Sequence, residues 1–182
     1  MKSIGRISAM TLGTVQLGMN YGIANNAGKP GEAKSFSILR SALENGVTSL
    51  DTARAYGDSE NVIGRFLKQW EGEVPYITTK VPNLEGETPA EIVKSAVESV
   101  EQSLENLGLS KVNAVMLHTA PDVVKYGKVA AEAMEKLLKL GYADQVGVSI
   151  YTNEAMMEML KYDVFTVPQV PMSIFDQRMI AR

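Results

Sequence analysis

Short apolar runs alternate along this chain with longer stretches of helical period, and several of the runs end on a polar side chain. That alternation is the signature of β/α units, because two parallel strands can be joined only by a crossover long enough to hold a helix. Residues 7–15, 47–50, 76–81, 112–117, 145–150 and 164–170 read as strands, about six in all with five helices between them. The helical stretches carry their own punctuation. Thr88-Pro89-Ala90-Glu91 offers a capping threonine, a proline at the first helical position and a glutamate three residues after the cap. Ile92, Val93, Ala96, Val97, Val100, Leu104 and Leu107 then form one apolar stripe that stops at Gly108. Further helices are expected around Phe36, Leu39, Ala42 and Leu43, around Val62, Ile63, Phe66 and Leu67, over residues 129–140, and around Met156, Met157, Met159 and Leu160. The methionines are expected to fill core.

Two architectures take such a pattern: an open doubly wound sheet, or a closed eight-stranded β/α barrel that typically needs about 250 residues. A length of 182 residues suits one domain spanning 1–182 and leaves the choice to the residues at the strand ends. Composition narrows the chemistry more than the fold. There is no cysteine and a single histidine, which removes thiolate sites and makes a zinc cluster a poor reading, so no metal is expected. A net charge of −3 with both signs interspersed gives no nucleic-acid footprint. Neither a signal-like opening at Met1 to Met10 nor a run of membrane-spanning length is present, so a cytoplasmic protein is expected.

The run 47–50 leads into Asp51, and the stretch Ser49-Leu50-Asp51-Thr52-Ala53-Arg54-Ala55-Tyr56-Gly57-Asp58-Ser59-Glu60 reads as strand, loop and helix start. The third strand carries Lys80 at its end and the fourth leads into His118. In α/β folds the carboxyl ends of parallel strands are where functional groups gather. Each of the four has a bland reading alone: Asp51 as a cap or ion-pair partner, Tyr56 as a packing residue, Lys80 as half of a structural pair, His118 as a hydrogen-bonded core residue. Together they suit proton transfer to a carbonyl oxygen, with lysine expected to lower the phenol's pKa and aspartate to anchor the lysine. No side chain supplies hydride, so a cofactor must.

Leu12-Gly13-Thr14, Leu50-Asp51-Thr52-Ala53 with Tyr56-Gly57, Thr79-Lys80-Val81, Leu117-His118 and Gly147-Val148-Ser149 resemble the ordered motifs of the aldo/keto reductase superfamily, in its bacterial form. The resemblance implies a (β/α)8 TIM barrel, of which about six parallel strands of eight would be present. It implies Tyr56 as general acid, Lys80 and Asp51 as its partners, and His118 as the group that orients a carbonyl substrate. It also implies a nicotinamide cofactor, usually NADPH with NADH the alternative, held without a GxGxxG fingerprint. Ser149 and Gln169 would meet the carboxamide, with Gly13 and Thr14 near the nicotinamide ribose and Asp51 close by. Ile150 stands where many members have asparagine.

The expected activity is reduction of a small aldehyde or ketone to an alcohol. The chain reads as a truncated form of such a barrel, lacking the C-terminal strands, so self-association through unpaired barrel edges is expected as well. Two other readings remain open at this point: a non-catalytic fragment that binds a partner, and an aldolase-like enzyme in which Lys80 forms a Schiff base.

Overall fold

The computed structural model describes residues 7–179; the opening residues with Lys2 and Arg6, and the end at Arg182, lie outside the described residues. Six strands form one parallel sheet: β1 (Leu12–Gly13), β2 (Ser49–Asp51), β3 (Tyr76–Val81), β4 (Val112–Leu117), β5 (Ala143–Ser149) and β6 (Phe165–Gln169). Seven helices intervene: α1 (Val15–Gly18), α2 (Glu32–Glu44), α3 (Ser59–Leu67), α4 (Pro89–Leu107), α5 (Ala120–Tyr126), α6 (Lys128–Leu140) and α7 (Asn153–Met159). The strand order in space is the order in sequence, β1-β2-β3-β4-β5-β6. A doubly wound sheet reverses its order partway across, so strictly sequential addition selects the other architecture, an incomplete (β/α)8 barrel.

The six strands match the sequence reading, but the connections hold two helices more than expected. Short α1 occupies the end of the first apolar run, which leaves β1 only two residues, and α5 precedes α6 in one connection. The expected start of α4 is present in full. Thr88 Oγ1 accepts from the Glu91 N–H at 3.3 Å, and Glu91 Oε2 accepts from the Thr88 N–H at 3.0 Å. Such a cap contributes about 1 kcal/mol. At the far end Gly108 closes the helix in the left-handed conformation, with φ of 67°.

Alternation along each strand separates two faces. Leu50, Ile77, Val81, Val115, Leu117, Val146 and Val148 are buried in the hydrophobic core with the inward stripes of the helices. Helices of successive connections also pack on one another, α2 on α3, α3 on α4 and α4 on α6. Phe66 of α3 is fully buried, with its ring edge-on to Phe36 at 5.7 Å and stacked on Trp70 at 5.5 Å. Burial of a phenylalanine of this kind contributes about 1.5–3 kcal/mol. The opposite face of the sheet carries polar side chains among apolar ones. Thr11, Ser49, Asp51, Tyr76, Thr78 and Gln169 line a cavity of about 330 Å³ with Ile7, Gly13, Met116, Val167 and Pro168. At Gly147 a Cβ would lie 1.7 Å from the Val167 carbonyl oxygen, so the glycine admits the neighbouring β6 backbone.

One expectation needs correction. Of the α7 methionines only Met159 is buried, with Met156 packed partly against the core, whereas Met157 is 64% exposed and Leu160, just after the helix, 63%. The helix runs for seven residues and turns a single narrow face to the core, so neighbours at i+1 point to solvent.

Candidate active site

Asp51 is the last residue of β2, Lys80 the fifth residue of β3, and His118 the residue after β4, so three adjacent strands deliver them to one rim. The Lys80 ammonium is 2% exposed and donates to Asp51 Oδ1 at 2.6 Å and to the Thr52 carbonyl at 3.0 Å. Its third direction faces Tyr56, with Nζ 3.5 Å from the phenol oxygen and 5.0 Å from the ring centre. The Tyr56 and His118 rings meet edge to face, 5.5 Å between centres at 83°. The four residues named from sequence are thus brought together around one cavity of about 270 Å³, which Ser149, Tyr151, Gln169, Val170 and Pro171 also line.

The loop that carries Tyr56 is held from behind. Gly57 has φ of +56°, and a Cβ on it would lie 2.6 Å from the Gly18 carbonyl oxygen. A Cβ on Gly18 would fall 1.7 Å from the Tyr56 carbonyl oxygen. Only two glycines let the end of α1 and the Tyr56 turn meet backbone to backbone, and the Asp58 N–H donates to the Gly18 carbonyl across that contact. A chain of buried hydroxyls runs alongside: Thr52 Oγ1 donates to Ser59 Oγ, Ser59 Oγ to Thr14 Oγ1, and Thr14 Oγ1 to the Asp51 carbonyl. Thr14 is fully buried, so its hydroxyl braces Asp51 rather than facing the cavity. Gly13 borders the polar interior cavity beside Asp51.

Electrostatics correct one expectation. Lysine was expected to lower the phenol's pKa, yet Tyr56 is pushed up to about 12, first by burial and then by the negative charge of Asp51. Asp51 lies 2.6 Å from the ammonium and offsets its field, so the phenol experiences a dipole instead of a bare cation. Tyr56 therefore keeps its proton at neutral pH and has one to give. Burial lowers the Lys80 pKa, with Asp51 opposing. His118 is held below the ordinary imidazole value by burial and by Lys80, again with Asp51 opposing, which favours the neutral ring.

Ser149 and Gln169 are register partners at the ends of β5 and β6, and among the described residues neither side chain has a hydrogen-bond partner. Ile150 is fully buried, and its N–H donates to the Gln169 carbonyl at 2.7 Å. Two residues near the site were given no role in the sequence reading. Tyr151 lines the cavity just after β5, at the strand-end position that marks the others. Glu60 is 2% exposed behind the Tyr56 loop, and its place one turn before Ile63 and Gly64, on the apolar stripe of α3, is the signal that flags it.

Comparison with known proteins bears on the family and the fold. Residues 9–182 match the Aldo/keto reductase family. The aldo-keto reductase YhdN of Bacillus subtilis is 28% identical over 155 residues, which cover 81% of this chain and 46% of that protein. Among solved structures, PA4992 of Pseudomonas aeruginosa superposes with a TM-score of 0.77 at 25% identity, covering 93% of this chain and 65% of the other. An aldo-keto reductase of Klebsiella pneumoniae, solved in complex with NADPH, gives 0.67 at 24% identity, with 90% and 54% covered. The chain spans about half the length of the curated relatives it matches. With the family match extending over nearly all of its residues and the fold shared, the chain belongs to the aldo/keto reductase family.

Proposed function

We propose that this chain carries the proton-transfer site of an NADPH-dependent reductase that converts a small aldehyde or ketone to its alcohol. The observation that carries the reading is the placement of the Lys80 ammonium between Asp51 at 2.6 Å and the Tyr56 phenol at 3.5 Å, with His118 against the same phenol ring. Tyr56 is the general acid, the group that gives its proton to the carbonyl oxygen as that oxygen gains charge. Lys80 stabilises the phenolate left behind, and Asp51 holds Lys80 in place. His118, neutral and half-buried, donates an N–H to the same oxygen and fixes the carbonyl's direction.

The nicotinamide, when bound, supplies the hydride. For its carboxamide, Ser149 and Gln169 offer a hydroxyl and an amide side by side on the cavity wall, which fits a group that both donates and accepts. Gly13, with no side chain, is the candidate for the ribose, whereas Thr14 is fully buried and acts behind it as a brace, and Asp51 borders both cavities. NADPH is favoured over NADH because the Klebsiella relative is solved with it. The aldolase-like alternative fits less well: a Schiff-base lysine must reach a substrate carbonyl, and Lys80 is 2% exposed with two donors committed.

Incubation with an aldehyde and NADPH deuterated at the transferring position tests the proposal. Deuterium at the carbinol carbon, with no Lys80 adduct on borohydride treatment, is the expected result. A borohydride-trapped Lys80 adduct without deuterium transfer would replace the reductase by the aldolase reading.

A further inference from the structure

Glu60 is a buried carboxylate that the chemistry above leaves unused. It is the second residue of α3, and three donors from separate parts of the fold converge on it. Thr79 Oγ1 donates to Oε1 at 2.6 Å, Asn106 Nδ2 donates to Oε2 at 3.2 Å, and Arg54 Nη1 lies 4.0 Å from Oε2. Thr79 immediately precedes Lys80 on β3, so its side chain leaves the strand on the face opposite the ammonium. Arg54 stands two residues before Tyr56, and its backbone N–H donates to the Lys80 carbonyl at 3.3 Å. Asn106 belongs to the last turn of α4, brought close because Gly64 of α3 has no side chain: a Cβ there would lie 2.2 Å from the Asn106 carbonyl.

Filling space at this position would be cheaper with an apolar side chain, since a buried carboxylate costs free energy that only well-placed donors offset. Two of those donors, Thr79 and Arg54, belong to the segments that carry Lys80 and Tyr56, and the third, Asn106, ties the same carboxylate to the end of α4. We infer that Glu60 is a positioning residue that ties the Tyr56 loop and the start of α3 to the strand of Lys80, and so sets the Tyr56 to Lys80 separation. The inference deepens the proposed reductase reading and rests on it for its functional meaning.

Its test needs neither cofactor nor turnover, so its failure is distinguishable from failure of the reductase reading, which deuterium transfer decides. His118 is the only histidine, so its imidazole gives one assignable proton NMR signal. That signal reports the Tyr56 ring through its shift, and its titration reports the groups that face it, Lys80, Asp51, Tyr56 and Tyr151. Thr79→Val removes one donor without changing size or charge, and Glu60→Gln changes the acceptor. Both are expected to move the His118 signal and to raise its titration midpoint toward the ordinary imidazole value, as the loosened site admits water. Thr79→Ser restores the hydroxyl and should return the signal to the wild-type position.

Thr88→Ala, which weakens the remote cap of α4, should lower Tm and leave the signal where it is. If Glu60→Gln does not fold, Thr79→Val alone decides. An unmoved signal and midpoint in a folded Thr79→Val variant, with Tm lowered, would overturn the inference and leave Glu60 a stabilising residue only.

Discussion

Strands β2, β3, β4 and β5 have parallel partners on both sides, whereas β1 and β6 are, among the described residues, paired on one side only. Asp51, Lys80, His118 and Ser149 ride on the first group; Gly13 and Gln169 ride on the second. The difference separates two tasks. Proton transfer needs groups held to within about 0.5 Å, and the residues proposed for it sit where ladders, helices and the Gly18–Gly57 backbone contact over-determine the geometry. Of the residues proposed to meet the cofactor, Gly13 and Gln169 lie where the sheet is held least, while Ser149 lies on interior β5 beside Gln169.

Perturbing the interior group should therefore cost most. Tyr56→Phe removes the proton donor and keeps the ring, so carbonyl reduction should fall by about two to four orders of magnitude with the fold intact. Steady-state kinetics beside circular dichroism checks this, and near wild-type turnover would remove Tyr56 from its role. Next in size is the Asp51–Lys80 pair. Asp51→Ala leaves an ammonium that is 2% exposed without its partner, a loss on the order of 3–5 kcal/mol in denaturant unfolding. Adding Lys80→Met should recover part of that loss; simple addition of the two losses would mean that the groups do not act as a pair.

A smaller effect comes from His118. Its folded-state pKa lies below the ordinary 6.5, so as pH falls through 6.5 the unfolded chain takes up the proton first. Stability should then decline with falling pH until the folded form titrates as well, and His118→Gln should flatten that part of the curve. Smallest of all is Gln169→Ala on edge strand β6, expected to change stability by no more than about 0.5 kcal/mol. The same substitution should still weaken NADPH binding in a calorimetric titration. If it unfolded the chain, the contrast between interior and edge would break.

Much of this architecture is legible before any coordinates. Apolar runs of strand length and the Thr88–Glu91 cap place β3, β4 and α4 closely, because burial and capping leave local marks. The four rim residues are legible for the same reason, each standing where a run ends or the loop after it begins. What escaped is what depends on distant neighbours. Short α1 and α5 have too few residues for a periodic signal, and the exposure of Met157 and Leu160 depends on how α7 lies against the core. The raised phenol pKa depends on burial of Tyr56 by the assembled rim and then on the charge of Asp51, and the burial of Thr14 goes with hydroxyls contributed by Thr52 and Ser59. Glu60 shows the limit clearly: its sequence position marks it as buried, but its partners Thr79 and Asn106 are 19 and 46 residues away.

Native-state amide hydrogen exchange tests the division between interior and edge most directly. The account predicts that Lys80 on β3 and Met116 and Leu117 on β4 exchange in the slowest class, at the rate of global unfolding. Gly13 on β1 and Val167 and Gln169 on β6 should exchange faster, through local opening that leaves β2 to β4 intact. Uniform protection across all six strands, or slower exchange at β1 and β6 than at β3 and β4, would contradict it.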